Sequence, residues 1–379
     1  MNASRLQREA PEPRTVAFVL VSYVPDAPAG MERAVAALAS GLRAAGHQAF
    51  ILTAAPQPRP GPDVIMLREL PVTFPCDDGT LRQAISQHRA ALARELRQVL
   101  TRLRAGIVVY ADALWGLGRI AGLVLSPARP VLAVHVIGHD ADLAPALAAA
   151  RQVIAPSASV LAEARDRGYD TAGWQAVPNP LLIDPGQVRR PSPGERDQLR
   201  RHGPAAVIAR LGPEKGVTGL LAAAGPGERP VHVVLAHAGF ETAPGSQRQL
   251  AAECRMLAAA AGARICPPLA WHQVPPFLAG AAVTIVPSGR ETFGNVAVES
   301  LSADTPVVAY ATGNLPALLS PGSGVLVQPG DGPAALWRAV RDLLADPVRY
   351  QQMSRDAYCQ SRNYGPARVC GTFLKAVHS

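Results

Sequence analysis

The segment TVAFVLVSY, residues 15–23, does most to narrow the fold. It is a continuous apolar run rich in β-branched and aromatic residues, the pattern of a strand covered on both faces in a parallel sheet. A loop, VPDAPAG, follows it. Ala34, Val35, Leu38 and Leu42 then recur at helical spacing up to Gly46, and AFILT reads as the next strand. Two strands joined through one helix lie parallel. The alternation continues through a helix at 81–104 and strands at 105–111, 130–138 and 151–157, so residues 15–184 are expected to form a doubly wound α/β domain.

Near VPNPLLIDPG (177–186) the pattern breaks, and the charged, Pro-rich residues 185–204 read as a linker. A second alternating series occupies 205–349. Its strands fall at 205–210, 230–237, 263–269, 282–288, 306–310 and 323–329, with helices near 216–224, 246–262, 273–281, 294–303 and 332–345. Two such layers face each other across a central cleft, and ligands of these sheets bind beyond the carboxyl ends of the strands.

Composition limits what the cleft can serve. A chain of 379 residues suits two domains, and 48% hydrophobic content supplies their cores. The first fourteen residues lack the apolar stretch of a signal peptide and read as a disordered tail, and no charge-free apolar run reaches spanning length. The five cysteines (76, 254, 266, 359 and 370) show no metal or CxxC spacing, which fits reduced thiols in a cytoplasmic protein. The net charge of +8 is spread along the chain without basic–aromatic interleaving, which argues against nucleic acid and leaves an anionic small molecule.

The sharpest motif is IVPSGRETFGNVAVESLSADTPVVAY (285–310). A buried strand ends at Ser288, a polar loop follows, and a helix opens near Gly294. Unpaired amides at a helix start can receive an anion, and Gly294 has no Cβ to block its approach. Glu291 and Glu299 flank that start with carboxylates that accept hydrogen bonds from sugar hydroxyls; a capping Glu and a solvated helix Glu are the plainer alternative. In AAVIARLGPEKG (205–216), Arg210 and Lys215 sit across a second strand-end turn, where two cations would neutralise a diphosphate leaving group.

Taken together, these segments resemble the retaining glycosyltransferases of family 4. ETFGNVAVE matches the family's E-x7-E motif and ARLGPEKG its R-x4-K. VPNP stands before the linker, and PAGMERAVAALASGLRAAGHQ corresponds to the N-terminal loop and helix. The resemblance runs along nearly the whole chain. It implies the GT-B fold, two Rossmann-like doubly wound domains facing a central cleft, with residues 350–379 returning as a helical tail onto the first domain.

The resemblance also implies site roles. Glu291 would bind the donor sugar, with the backbone at Thr292, Phe293, Gly294 and Asn295 holding sugar and phosphate. Glu299 would grip the ribose, Arg210 and Lys215 the diphosphate, and Gly30 would bring its amide to the phosphate from the first domain. His135 matches the family's histidine near the reacting sugar; a core histidine is its competing reading. PPLAW (267–271) stands where the family's backbone holds the nucleobase. Three positions depart from the family pattern: Ala29-Gly30 replaces Gly-Gly, Gly313-Asn314-Leu315-Pro316-Ala317 replaces Gly-Gly-x-Pro-Glu, and Tyr110-Ala-Asp112 stands where many members carry histidine.

The implied activity is transfer of glucose or N-acetylglucosamine from a UDP-sugar to a hydroxyl of a small acceptor, with retention and without a cofactor or essential metal. Asp26, Glu32, His139 and Asp140 are the candidate acceptor contacts, with Asp77 and Asp78 in a second acidic loop. Acidic loops suit a cationic acceptor, and an aminocyclitol in antibiotic assembly fits the composition. A lipid- or inositol-directed transferase, a sugar-nucleotide epimerase and a non-catalytic sensor are the rivals. Asp140-Ala-Asp142 mimics a metal-binding DxD, but that motif belongs to a different fold. The arginine-rich helix at 82–104 reads as a cover for the sheet rather than a membrane contact.

Overall fold

The computed structural model describes residues 14–378 apart from 28, 58–60, 112–116, 139, 226–228 and 320–321. The first layer follows the order β1 (Thr15–Val19), α1 (Gly30–Ala44), β2 (Gln48–Thr53), β3 (Val64–Met66), β4 (Cys76–Asp77), α2 (Asp78–Leu103) and β5 (Ile107–Tyr110). It continues with α3 (Leu117–Ala121), β6 (Arg129–Ala133), α4 (Asp140–Ala149), β7 (Gln152–Ala155), α5 (Ala158–Asp166) and β8 (Trp174–Ala176). Helix α6 (Pro193–His202) leads into the second layer, which begins β9 (Ala205–Arg210), α7 (Val217–Ala222), β10 (Val231–Ala236), β11 (Phe240–Glu241), α8 (Ser246–Ala260) and β12 (Arg264–Cys266). It closes with α9 (Val274–Ala279), β13 (Val283–Val286), α10 (Asn295–Ser302), β14 (Val307–Tyr310), α11 (Leu315–Leu318), β15 (Gly324–Val327) and α12 (Pro333–Ala345); α13 (Pro347–Ser361) and α14 (Pro366–Ala376) end the chain.

Seven strands form the first sheet in the order β3-β2-β1-β5-β6-β7-β8. Strand β1 is its centre: Val16–Val19 are fully buried and pair in parallel with β2 on one side and β5 on the other. Six strands form the second sheet in the order β12-β10-β9-β13-β14-β15, also with parallel neighbours. The strand order reverses between β1 and β5 and between β9 and β13. Crevices therefore open beyond the ends of those strands, where Tyr23 to Gly30 and Arg210 to Lys215 lie.

Helix α2 starts on Asp77, whose carboxylate accepts from the Thr80 amide at 2.9 Å. Its stripe of Leu81, Ile85, Leu92, Leu96 and Leu100 is buried in the core of the first layer, so the helix covers the sheet. Among the described residues no helix is long and apolar enough to cross a membrane.

Two regions differ from the sequence reading. Residues 193–202 of the expected linker are helical, opened by a capping box between Ser192 and Glu195. The helix docks through a cation rather than an apolar stripe: buried Arg196 donates to the carbonyls of Ala281 and Ala303, each at 2.8 Å. At the other end, the expected tail divides. Helix α13 stays on the second layer, packed against α10 and α12, and only α14 lies on the first, against α1. There Phe373 meets Phe18 at a ring separation of 6.2 Å, and a Cβ at Gly41 would collide with Cys370 Sγ.

A third, two-stranded sheet ties the layers together. Strand β4, in the loop before α2, pairs in parallel with β11, in the loop after β10. The Cys76 amide donates to the Gly239 carbonyl at 3.1 Å, and Phe74 meets Phe240 edge to face at 5.6 Å.

Candidate active site

The site is built around the loop between β13 and α10. Gly294 caps the helix at φ +104°, a conformation that suits glycine, and Leu315 packs where a Cβ would stand. The loop is pinned from several sides. The Gly289 amide donates to the Glu214 carbonyl at 2.9 Å, Thr312 Oγ1 to the Ser288 carbonyl at 2.8 Å, and the Asn314 amide and side chain to the carbonyls of Glu291 and Phe293. These bonds fix the loop that leads into α10, where the first amides of a helix have no acceptor within it.

Glu291 Oε2 accepts from Lys215 Nζ at 2.8 Å, and both side chains are largely buried. Gly216, at φ +67°, lets the 210–216 turn press on the Pro287 carbonyl, which brings the lysine to the glutamate. Arg210 pairs with Glu214 of its own turn. Each expected diphosphate cation thus carries a carboxylate partner. The half-exposed Arg210–Glu214 pair costs little to break, because water screens such pairs.

The first layer reaches this loop at several points. Asn295 Nδ2 donates to the Gly30 carbonyl at 3.1 Å, and Asn179 Nδ2 donates to Asn295 Oδ1 at 3.1 Å. Ser157 Oγ donates to the Thr292 carbonyl at 2.6 Å, and Arg290 to the Ile137 carbonyl and Glu163. Arg33 pairs with Glu299 at 2.8 Å; burial pushes the Glu299 carboxyl up, and the guanidinium opposes it. The cleft is closed over the expected donor residues.

Two sequence patterns match the chain: Glycosyltransferase Family 4 over residues 28–185 and Glycosyl transferases group 1 over residues 204–360. The chain is a glycosyltransferase of the GT-B type. It is similar to the D-inositol 3-phosphate glycosyltransferase of Streptomyces avermitilis, 39% identical over 27% of this chain and 22% of that protein. A second relative, D-inositol 3-phosphate glycosyltransferase 1 of Catenulispora acidiphila, is 28% identical over 88% of this chain and 87% of its own. The match thus spans about a fifth of the first relative's length and most of the second's. Among solved structures, sucrose-phosphate synthase of Thermosynechococcus elongatus shares 20% identity over 96% of this chain and 98% of that one, with a TM-score of 0.77. Anabaena HepE in complex with UDP and glucose shares 19% over 96% and 99%, with a TM-score of 0.74.

Within this glycosyltransferase Glu291, Lys215, Thr292, Gly294 and Asn295 stand together, with Gly30 facing them across the cleft. Phe293 contributes only backbone, since its buried ring packs on Tyr364 at 5.6 Å. His135 lines a small apolar cavity beside Ala34, Pro156 and Asn179, and burial pushes its imidazole down to about 4, so the ring is neutral at physiological pH.

The expected acceptor contacts fare differently. Asp26, at φ +61°, uses Oδ1 to accept from the Trp271 amide at 2.8 Å. Glu32 is buried and accepts from Ser22 Oγ at 2.7 Å. Glu32 is therefore committed to holding the structure, whereas Asp26 bonds through one oxygen and stays exposed. Asp140 accepts from the Tyr169 hydroxyl, and Asp142 of the DxD-like triplet is buried between Arg82 and Arg119. His139 lies outside the described residues. At the end of PPLAW, the segment whose backbone is expected to hold the nucleobase, Trp271 ties its amide to Asp26 and its indole N–H to the Ala27 carbonyl at 2.7 Å.

Sequence reasoning passed over Arg33, Ser157, Asn179 and Glu214. Arg33 carried a signal, three residues after Gly30 on that glycine's face of α1, and Asn179 and Glu214 lay inside the quoted VPNP and ARLGPEKG segments. The glycosyltransferase also holds a cavity of about 340 Å³ under the β4–β11 bridge, lined by Arg210, Glu214, Phe240, Glu241, Glu253 and Asp78.

Proposed function

We propose that the cleft binds a UDP-sugar and transfers its glucose or N-acetylglucosamine unit to a hydroxyl of a small cyclic polyol, with retention at the anomeric carbon. The observation that carries this reading is the Lys215–Glu291 pair at the open start of α10. It sets a cation where a diphosphate would leave and a carboxylate where sugar hydroxyls would bind. Diphosphate oxygens would meet Lys215, Arg210 freed from Glu214, and the α10 amides. These groups offset the developing charge, so the proposal includes no metal. The acceptor hydroxyl would attack the anomeric carbon on the face the phosphate leaves, passing its proton to the departing phosphate oxygen. The chain would contribute positioning and the exclusion of water.

The named activity of the relatives supports a cyclitol-type acceptor. The cavity beneath the bridge carries Asp78, Glu241 and Glu253 on its wall, a lining that suits a neutral or amino-bearing polyol better than a phosphorylated one. Incubation with labelled UDP-glucose and UDP-N-acetylglucosamine against inositol, inositol phosphate and aminocyclitols tests the reading by mass spectrometry. Labelled glycoside supports transfer. An isomerised free donor supports epimerisation instead, and binding without product supports a sensor.

A further inference from the structure

Arg33 and Glu299 stand on opposite sides of the cleft, one on α1 and the other on α10. Arg33 Nη1 lies 2.8 Å from Glu299 Oε1 and 3.0 Å from Oε2, and the side chains are 10% and 11% exposed. A single guanidinium nitrogen therefore serves both carboxylate oxygens. Arg33 Nε is buried and has no hydrogen-bond partner among the described residues. A buried N–H left unpaired is costly, so the site is incomplete as it stands. The neighbouring carboxylate does not relieve it, since Glu32 is engaged by Ser22.

We propose that Arg33 is a positioning residue of the donor site: it holds Glu299 for the ribose hydroxyls and offers its unpaired Nε–H to an oxygen of a bound nucleoside diphosphate. This rests on the reading of the cleft as a nucleotide-sugar site. Each carboxylate oxygen has two lone pairs, so Glu299 can keep Arg33 and still accept from hydroxyls. Burial disfavours the ionised carboxylate, and the guanidinium is the charge that opposes this. Because the two residues belong to different domains, ribose recognition is complete only when the cleft is closed.

Calorimetry with UDP on the full chain and on R33K, R33Q, E299Q and R33Q/E299Q tests the nucleotide role. R33Q is expected to bind roughly tenfold more weakly, R33K to regain part of the loss, and the double variant to bind more weakly than E299Q alone but by less than the product of the two single losses. Wild-type affinity in R33Q, or losses that multiply in the double variant, overturns the proposal. Small-angle scattering without ligand tests the cross-cleft pair separately. R33E should enlarge the radius of gyration and R33E/E299R restore it, with circular dichroism confirming folded variants; an unchanged R33E overturns the pair. If the wild-type chain binds no nucleoside diphosphate, the donor reading fails together with the nucleotide role, and scattering alone decides whether Arg33 and Glu299 hold the cleft shut.

Discussion

Lys215 and Glu291 meet at 2.8 Å although 76 residues separate them in the chain. The strand-end turn after β9 and the loop after β13 bring them together at the reversal point of the second sheet. If this pair marks the donor site, E291Q should lower turnover by about two orders of magnitude while the far-ultraviolet circular dichroism is unchanged. K215A should weaken UDP binding and also free the Glu291 carboxylate, so turnover and affinity fall together. Steady-state rates and calorimetry on the two variants decide it; a normal turnover in E291Q removes this residue from the sugar site.

Gly313 sets where Glu291 stands. Its φ is +52°, and a Cβ there would overlap the Glu291 carbonyl, the acceptor of the Asn314 amide. G313A must therefore move the loop as well as strain the backbone, a combined cost of roughly 2 kcal/mol or more. Denaturant unfolding should show the loss, and turnover should fall further than stability alone explains.

Both sheets were legible in the sequence because a buried parallel strand is written as an unbroken apolar run, as at Val16–Val19 and Val283–Val286. The loop–helix containing Glu291 and Glu299 was legible for the same reason: its strand and helix start are local patterns. What stayed hidden depends on the partner across the cleft. Glu32 looks like an open acidic loop residue until Ser22 is seen to occupy it, and nothing local announces the bond from Trp271 to Asp26. Nothing in the two-residue segments Cys76–Asp77 and Phe240–Glu241 announces that they pair across the two domains. Helix α6 was missed because it docks through an arginine and shows no apolar stripe.

That arginine gives the next prediction. Arg196 is buried, and the carbonyls of Ala281 and Ala303 take their charged hydrogen bonds from it. R196M keeps the apolar stem but strands both acceptors. A loss of about 3 kcal/mol is expected in chemical denaturation, with UDP affinity of the folded fraction unchanged.

Trp271 anchors the second domain to the 24–29 loop through two donors. W271F deletes the indole N–H and the five-membered half of the bicycle while keeping an aromatic ring and the backbone amide, so the lost bond and the space left behind should together cost about 2 kcal/mol. Hydrogen exchange offers the sharper readout. Amides of the 21–32 segment should exchange faster in W271F than in wild type, while those of β9 and β10 should not change. Faster exchange throughout would mean that the tryptophan supports the second core rather than the junction.

His135 supplies the pH prediction. Its folded pKa is pushed down to about 4 by burial, against an ordinary value of 6.5. Below about pH 6.5 the unfolded chain takes up a proton that the folded chain refuses, so this residue lowers stability as the pH falls from about 6.5 toward 4. Other groups also titrate in that range, among them His232, so the decisive quantity is the difference between wild type and H135Q. The wild-type melting temperature should drop more steeply on acidification than that of H135Q, and the two curves should run parallel above pH 7. Because the ring is already neutral at that pH, the wild-type rate profile should show no His135 inflection between about pH 6 and 8. An inflection there that vanishes in H135Q would mean the imidazole is exposed to protons in the working enzyme, and that the cavity beside Asn179 opens during turnover.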